Sequence, residues 1–282
     1  MAPSIVCGAV LFQTPPEDVR RLAHSVSVAA DAIEIDCRFA AIDNSGQETP
    51  DAFAGAGGGL LPCELHPHDG NLGFAGAHNR LMQQAFAGGA SHYLALDPGG
   101  FLHPEALKAL LTCARIFKNF ALLEARQFPN EHPKTYNVQT FETPWCSRAC
   151  LMIPKRLYKK IGGFDDGFFV YCEDVDLSWR TRLAGASCVT VPEAFFFHDV
   201  IDRPQSDFSR WHMALSMKRL MSKWMTGIAS LRLSTALAEM LFDAPEEALA
   251  LGSKPGKPIR NAASADIADF RHFFGFAPFR WT

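Results

Sequence analysis

Apolar residues gather along this chain in short runs separated by amphipathic stretches, a pattern that predicts alternating strands and helices. Ile5 to Phe12 has strand length and reads as a buried strand. In Thr14-Pro15-Pro16-Glu17, Thr14 is placed to cap a helix, the prolines suit its first turn and Glu17 stands at the capping-box position, so a helix is expected to about Ala30. Ile33 to Ile42 predicts a second strand. Asp43-Asn44-Ser45-Gly46 ends it, and a long loop through Gly59 follows. Then come a strand at Leu60 to Leu65, a helix at Gly73 to Phe86, a strand at His92 to Leu96, a helix at Pro104 to Phe117 and a strand at Ala121 to Gln127. This alternation implies an α/β protein with a parallel-rich sheet, whose ligands bind where the carboxyl ends of the strands meet loops. Asp43 and Asp97 both fall at such ends.

The second half changes character. Ala149 to Ile153 predicts a strand, Lys155 to Ile161 a short helix, and Glu173 to Ala184 a helix closed by Gly185. Ser187 to Val191 and Phe195 to Phe197 predict two short strands. From Ser206 onward the pattern is helical, with Met213, Met217, Leu220, Met221 and Trp224 on one face.

Composition bounds the function. Nearly half of the 282 residues are hydrophobic and the net charge is −3, which fits a folded protein and argues against a dedicated nucleic-acid binder. Eight cysteines without a Cys-x-x-Cys pair argue against a zinc ribbon or disulfide framework and for a reducing compartment. No basic leader and no run of eighteen apolar residues is present, so a cytoplasmic protein is expected, with peripheral contact at an inner membrane face kept open. Arg203, Arg210, Lys218, Arg219 and Lys223 give the helical segment a basic bias, suited to phosphates, to an anionic lipid surface or to a solvated helix face. The methionine face of that segment suits packing on the preceding domain or a homo-oligomer contact.

The segment GGFDDGFFVYCEDVDLSWRTR, from Gly162 to Arg182, carries the chemistry. Asp165, Asp166, Glu173 and Asp174 surround aromatic residues, a combination suited to taking a proton from a sugar hydroxyl held on a flat apolar surface. Asp174 and Asp176 lie about 200° apart on a helix, so Asp176 is expected to be structural, paired with Arg180 or Arg182. Read as local sequence, Asp43-Asn44 also suits an Asx turn, Asp97-Pro98-Gly99-Gly100 a simple turn, and Glu173-Asp174 a helix start that favours negative charge.

The Gly-Gly-Phe-Asp turn, the aromatic pair and Glu173-Asp174-Val175-Asp176-Leu177 resemble the acceptor-side motif of inverting family 2 glycosyltransferases of the GT-A fold, rhamnosyltransferases in particular. The resemblance covers about Ile5 to His198. It implies a GT-A domain over residues 1–205, a Rossmann-like doubly wound mixed sheet with a donor half to about residue 100 and an acceptor half after it, followed by a helical extension over 206–282. It implies transfer of a sugar from a nucleotide-diphosphate sugar of UDP or dTDP type to a glycan or lipid-linked hydroxyl, with Asp174 as general base beside Glu173. Asp43 and Asn44 are implied to read the nucleotide, and Asn71, Gly73 and Asn79, in the Asn71-to-Asn79 block, to open the helix under the donor. Asp97 is implied to serve both donor and metal. Trp145, Tyr171 and Asp165 fall on the acceptor side.

The metal motif departs from the family pattern. It usually places a second acid two residues after the first, and here Gly99 stands there. The resemblance implies Asp97, with His198 at the end of the last short strand, as the ligands of a divalent cation, Mn²⁺ or Mg²⁺, and with Gly99 in place of the second acid His198 gains weight. The departure also favours an alternative, a binding or assembly subunit that keeps the fold and has lost turnover.

Overall fold

A computed structural model describes residues 4–46, 61–66, 70–132, 134, 137–198, 206–224, 237–252 and 259. The Gly55–Gly59 loop, His68, Asp199, Arg203 and the aromatic tail after Gly252 (Ile259 apart) lie outside them.

Eight strands form one sheet: β1 (Ser4–Leu11), β2 (Asp36–Asp43), β3 (Cys63–His66), β4 (His92–Leu96), β5 (Phe101–Leu102), β6 (Ala121–Phe128), β7 (Cys150–Pro154) and β8 (Ser187–Phe197). Their spatial order is β3-β2-β1-β4-β7-β6-β8-β5. β1, β2, β3 and β4 run parallel, as do β6 and β8, whereas β7 lies antiparallel between β4 and β6, and β5 antiparallel to β8. The helices are α1 (Pro16–Asp31), α2 (Gly73–Ala87), α3 (Ala106–Ile116), α4 (Lys155–Ile161), α5 (Glu173–Leu183), α6 (Asp207–Trp224) and α7 (Glu246–Gly252). Among the described residues no helix is long and apolar enough to cross a membrane.

The strand period explains the two layers. Along β1, Ile5, Cys7, Ala9 and Leu11 pack with Val19 and Leu22 of α1 and Leu107 and Leu110 of α3 on one face, and Val6 packs with Phe74 and Leu81 of α2 and Leu157 of α4 on the other. Both faces being covered, β1 and β4 are buried along nearly their whole length rather than alternately.

Two elements differ in detail from the sequence pattern. Thr14 does not cap α1: Pro15 is the N-cap, without a side-chain bond, and the Thr14 hydroxyl accepts the Phe12 N–H at 3.2 Å. Pro16 occupies the first helical position, where its missing N–H leaves nothing unpaired. The two short strands expected around residues 187–197 are one strand, its register shifted against β6 between Ala125 and Arg126. Pro192 sits inside it, which is why the sequence reads as an interruption.

The pairings bring distant segments to one edge. Leu11 lies opposite Asp43, and Leu96 opposite Cys150, so the carboxyl ends of β1, β2 and β4 meet the amino end of β7. Asp97 N donates to Ala149 O at 2.9 Å, which seats Arg148 beside Asp97.

Candidate active site

The start of α2 joins the two halves of the site. Asn44 Nδ2 donates to Gly73 O at 3.1 Å, and Leu72 N donates to Asn44 Oδ1 at 3.3 Å. Asn71 Oδ1 accepts the Gly73 N–H at 2.8 Å. Asp43 is buried and its Oδ1 accepts the Ser45 N–H at 2.8 Å, an Asx turn at the strand end. Asn79 faces the other way: it donates to Phe164 O at 2.9 Å and accepts Phe164 N–H at 2.8 Å, clipping α2 to the Gly-Gly-Phe-Asp turn.

Gly73 has φ +67, and a Cβ there would stand 2.3 Å from Phe169 O, which accepts the Phe74 N–H at 2.8 Å. An alanine at this position meets both a left-handed backbone and a backbone oxygen. Gly73→Ala is expected to destabilise the fold by about 2 kcal/mol or more, measured by urea unfolding.

The acids stand at the first turn of α5, after Tyr171 and Cys172, which hold φ +72 and +62. Glu173 is fully buried, and Arg148 Nε lies 2.8 Å from its Oε1. Asp174 keeps 8% of its surface exposed, and its carboxylate accepts Arg148 N–H at 3.1 Å and Val175 N–H at 2.9 Å. Asp176 is buried with Arg180 Nε at 2.8 Å and Trp224 Nε1 at 2.9 Å, and also pairs with Lys223. Of the acids in the first turn of α5, Asp174 is thus the one with an open side, and Asp176 is structural.

Arg148 is the residue that sequence reading passed over. Its guanidinium carbon lies 4.0 Å from the Phe74 ring centre and 5.9 Å from that of Tyr171. Burial works against its charge, but Glu173, Asp97 and Asp174 together outweigh that and hold it charged. One cation among three carboxylates leaves them short of compensation. Burial is the largest influence on Glu173, pushing it up to about 7 against the pull of Arg148. Asp174 is also pushed up by burial, with Arg148 pulling back. Glu173 therefore holds a proton in the folded chain at pH values where the unfolded chain, near 4.5, has lost it. Stability then falls as pH rises from about 5 to about 8, by up to about 3 kcal/mol from this group. Glu173→Gln is expected to flatten that fall in urea unfolding measured at the two pH values.

Asp97 and His198 meet at the same edge, Nε2 to Oδ1 at 3.3 Å. Gln127 Nε2 donates to Ser147 Oγ at 3.1 Å, so Gln127 Oε1 faces His198 Nδ1 at 3.2 Å and accepts its N–H. Nε2 is left facing the Asp97 carboxylate, and this buried nitrogen has no hydrogen-bond partner among the described residues. A proton on Nε2 or a cation between the two groups would pair them. Burial raises the Asp97 carboxyl, but His198, Arg148 and the Gly99 N–H outweigh it and hold the group below the usual carboxylate range. The pair fits a divalent ion as one hard oxygen and one imidazole. Among the described residues no cluster of three His, Cys, Asp or Glu forms such a site.

The acceptor-side residues divide. Trp145 is buried against Phe168, Val175 and Trp179, with Lys134 Nζ 4.3 Å from its ring centre, and its indole N–H has no hydrogen-bond partner among the described residues. Tyr171 is half-buried and donates to Ser209 of α6 at 3.1 Å. Asp165 pairs with Arg219 at 2.7 Å and Lys223 at 2.6 Å, both from α6. Two of the basic residues of the extension are thereby turned inward, and its Met213 and Met217 pack against the Trp145–Phe168–Trp179 cluster. Cys146 and Cys150 are buried free thiols pushed up by burial, so neither offers a thiolate.

No family model matches the chain. It is 34% identical over 82 residues to "Rhamnosyltransferase WbbL" of Escherichia coli K12, a match covering 28% of this chain and 31% of that protein. It is 43% identical over 54 residues to "N-acetylglucosaminyl-diphospho-decaprenol L-rhamnosyltransferase" of Mycobacterium tuberculosis, covering 19% and 18% respectively. The matches thus span about a third or less of these relatives. Its fold is similar to GalNAc-T7 crystallised with UDP, GalNAc and Mn²⁺, with TM-score 0.64, 12% identity and 99% of this chain against 59% of that one. The fold is GT-A, and 82 residues of the chain are rhamnosyltransferase-like in sequence. The mannosyltransferase PcManGT from Pyrobaculum calidifontis, in complex with GDP-Man and Mn²⁺, matches the GT-A chain with TM-score 0.56 and 15% identity, over 94% of this chain and 78% of its own.

Proposed function

We propose that this chain transfers a sugar, of rhamnosyl or other hexosyl type, from a nucleoside-diphosphate sugar to a hydroxyl of a glycan or lipid-linked acceptor, with inversion, in bacterial surface-polysaccharide synthesis. The observation that carries the proposal is Asp174, a carboxylate with one open side, fixed by two backbone N–H groups and linked through Arg148 to Asp97 and His198 at the carboxyl edge of the sheet. The sequence likeness to two rhamnosyltransferases supports the sugar type, and the lipid diphosphate in the name of one supports a lipid-linked acceptor. UDP and GDP-Man in the two structural neighbours support a nucleoside-diphosphate donor.

In this reading Asp174 takes the proton of the acceptor hydroxyl as that oxygen bonds to the anomeric carbon. The bond from that carbon to the diphosphate oxygen breaks, and the nucleoside diphosphate leaves with the electron pair. A single displacement inverts the carbon. Asp43, Asn44, Asn71 and Gly73 border the donor, Asn79 holds the donor helix against the acceptor turn, and Tyr171, Trp145 and Asp165 shape the acceptor side. Asp97 and His198 would hold a divalent ion, which when bound supplies charge to the leaving diphosphate. The absence of a transmembrane helix among the described residues suits a protein working at the inner membrane face from the cytoplasm.

The test is incubation with UDP-, dTDP- and GDP-sugars, following release of nucleoside diphosphate and acceptor glycosylation, beside calorimetric titration of the nucleotides with Mn²⁺ and with EDTA. Absence of nucleotide binding in every condition would sink the reading. Gly99 favours the alternative, a binding subunit without turnover, which predicts binding and no transfer. Gly99→Asp is expected to tighten Mn²⁺-dependent nucleotide binding about tenfold by adding a hard oxygen near Asp97; an unchanged affinity would mean that position 99 does not face the ion.

A further inference from the structure

Arg148 is held on two sides and open on a third. Its Nε is fixed at 2.8 Å from Glu173 and its plane lies against Phe74 at 4.0 Å. Its side chain is 19% exposed, and among the described residues neither terminal nitrogen has a hydrogen-bond partner. Those terminal N–H groups form a rigid planar fork, the geometry that grips a phosphate through two parallel bonds. Arg148 stands at the carboxyl edge of the sheet, next to Ala149, which bonds Asp97, and against the first turn of α2.

The donor motif of this chain has one acid where two are usual, so any cation bound there has one fewer protein oxygen to hold it. A fixed positive charge at the same edge makes up for a weakly held ion.

We infer that Arg148 binds the diphosphate of the donor nucleotide, sharing with Asp97 and His198 the task of holding the leaving group. The inference rests on the glycosyltransferase reading and adds to it a ligand contributed by the acceptor half. Glu173 then has a defined task. It carries no substrate, and it keeps the fork aimed while the fork's outer nitrogens take the phosphate oxygens.

Calorimetric titration of UDP, dTDP, uridine and a short prenyl diphosphate, each with Mn²⁺ and with EDTA, tests this. Arg148→Gln alone would leave Glu173 buried without its cation, so the variant is the double Arg148→Gln/Glu173→Gln, which keeps two polar side chains and removes the ion pair. Its affinity for the preferred nucleoside diphosphate should fall about tenfold or more, the scale of a lost charge-assisted pair, and its affinity for the matching nucleoside should stay. Arg148→Lys keeps the cation and the fold while losing the fork, and should weaken the diphosphate about threefold or more. Nucleoside diphosphate affinity unchanged in Arg148→Lys, or in a folded double variant, overturns the inference and leaves the glycosyltransferase reading standing. Loss confined to the prenyl diphosphate also overturns it, assigning Arg148 to the acceptor. If the unaltered chain binds no nucleotide at all, the donor reading falls and the inference with it.

Discussion

Asp174→Asn is expected to lower the turnover of sugar transfer about 10²- to 10⁴-fold, the usual contribution of a positioned general base, while nucleotide binding and thermal stability change little. The amide keeps the shape of the carboxylate, and its oxygen can still accept one of the N–H groups of Arg148 and Val175. What it loses is the capacity to take a proton from the acceptor hydroxyl. Stability should hold because Asp174 is not the partner of the Arg148 side chain, a place taken by Glu173. Transfer at the unaltered rate would remove Asp174 as the base. Loss of nucleotide binding along with turnover would mean that the residue serves the donor. Measuring initial rates at saturating donor, beside a nucleotide titration of the same preparation, separates these results.

The largest effect on stability is expected at Asp176, which no substrate needs to touch. Its carboxylate is fully buried and gathers Arg180, Lys223 and the Trp224 indole N–H. Asp176→Ala leaves Lys223, 7% exposed, with Asp165 alone, and Arg180 with the carbonyl oxygens of Ile161 and Gly163. Removing one member of a buried ionic cluster costs about 3–5 kcal/mol, because the remaining charge stays buried without compensation. Urea unfolding followed by tryptophan fluorescence should show that loss, and Trp224 itself should report loosening of α6. A change under about 1 kcal/mol would mean that the cluster relaxes into solvent, as exposed pairs do.

The fold was largely legible because its signal is local. Runs such as Ile5 to Phe12 and His92 to Leu96 carry their burial in their own composition, and the helices between them carry it in spacing. The GT-A resemblance, carried by the block around Glu173, agrees with the fold found. The structural task of Asp176 was legible from helix geometry, and of the two arginines expected as its partner the structure pairs it with Arg180. Arg148 was not legible. A single arginine between two cysteines has no period and no cap signature, and its hydrogen-bonded neighbour Asp174 is 26 residues away. The seat of α6 was hidden for the same reason: Arg219 and Lys223 read as a charged surface until Asp165, 54 and 58 residues upstream, is brought to them. The capping reading of Thr14 failed because two prolines in succession fix the backbone before the hydroxyl is needed.

The antiparallel insertion of β7 between β4 and β6 bears on how the chain is made. β4 is buried along its whole length and gains its second neighbour only when residues 150–154 arrive. A nascent chain that has completed β1 to β4 therefore carries an unprotected apolar edge while some fifty further residues are synthesised, counted from Leu96 to Cys150. Such an edge is a template for pairing with another chain. The stretch between the two strands thus sets a window of exposure on the ribosome, and slowing synthesis there would lengthen it.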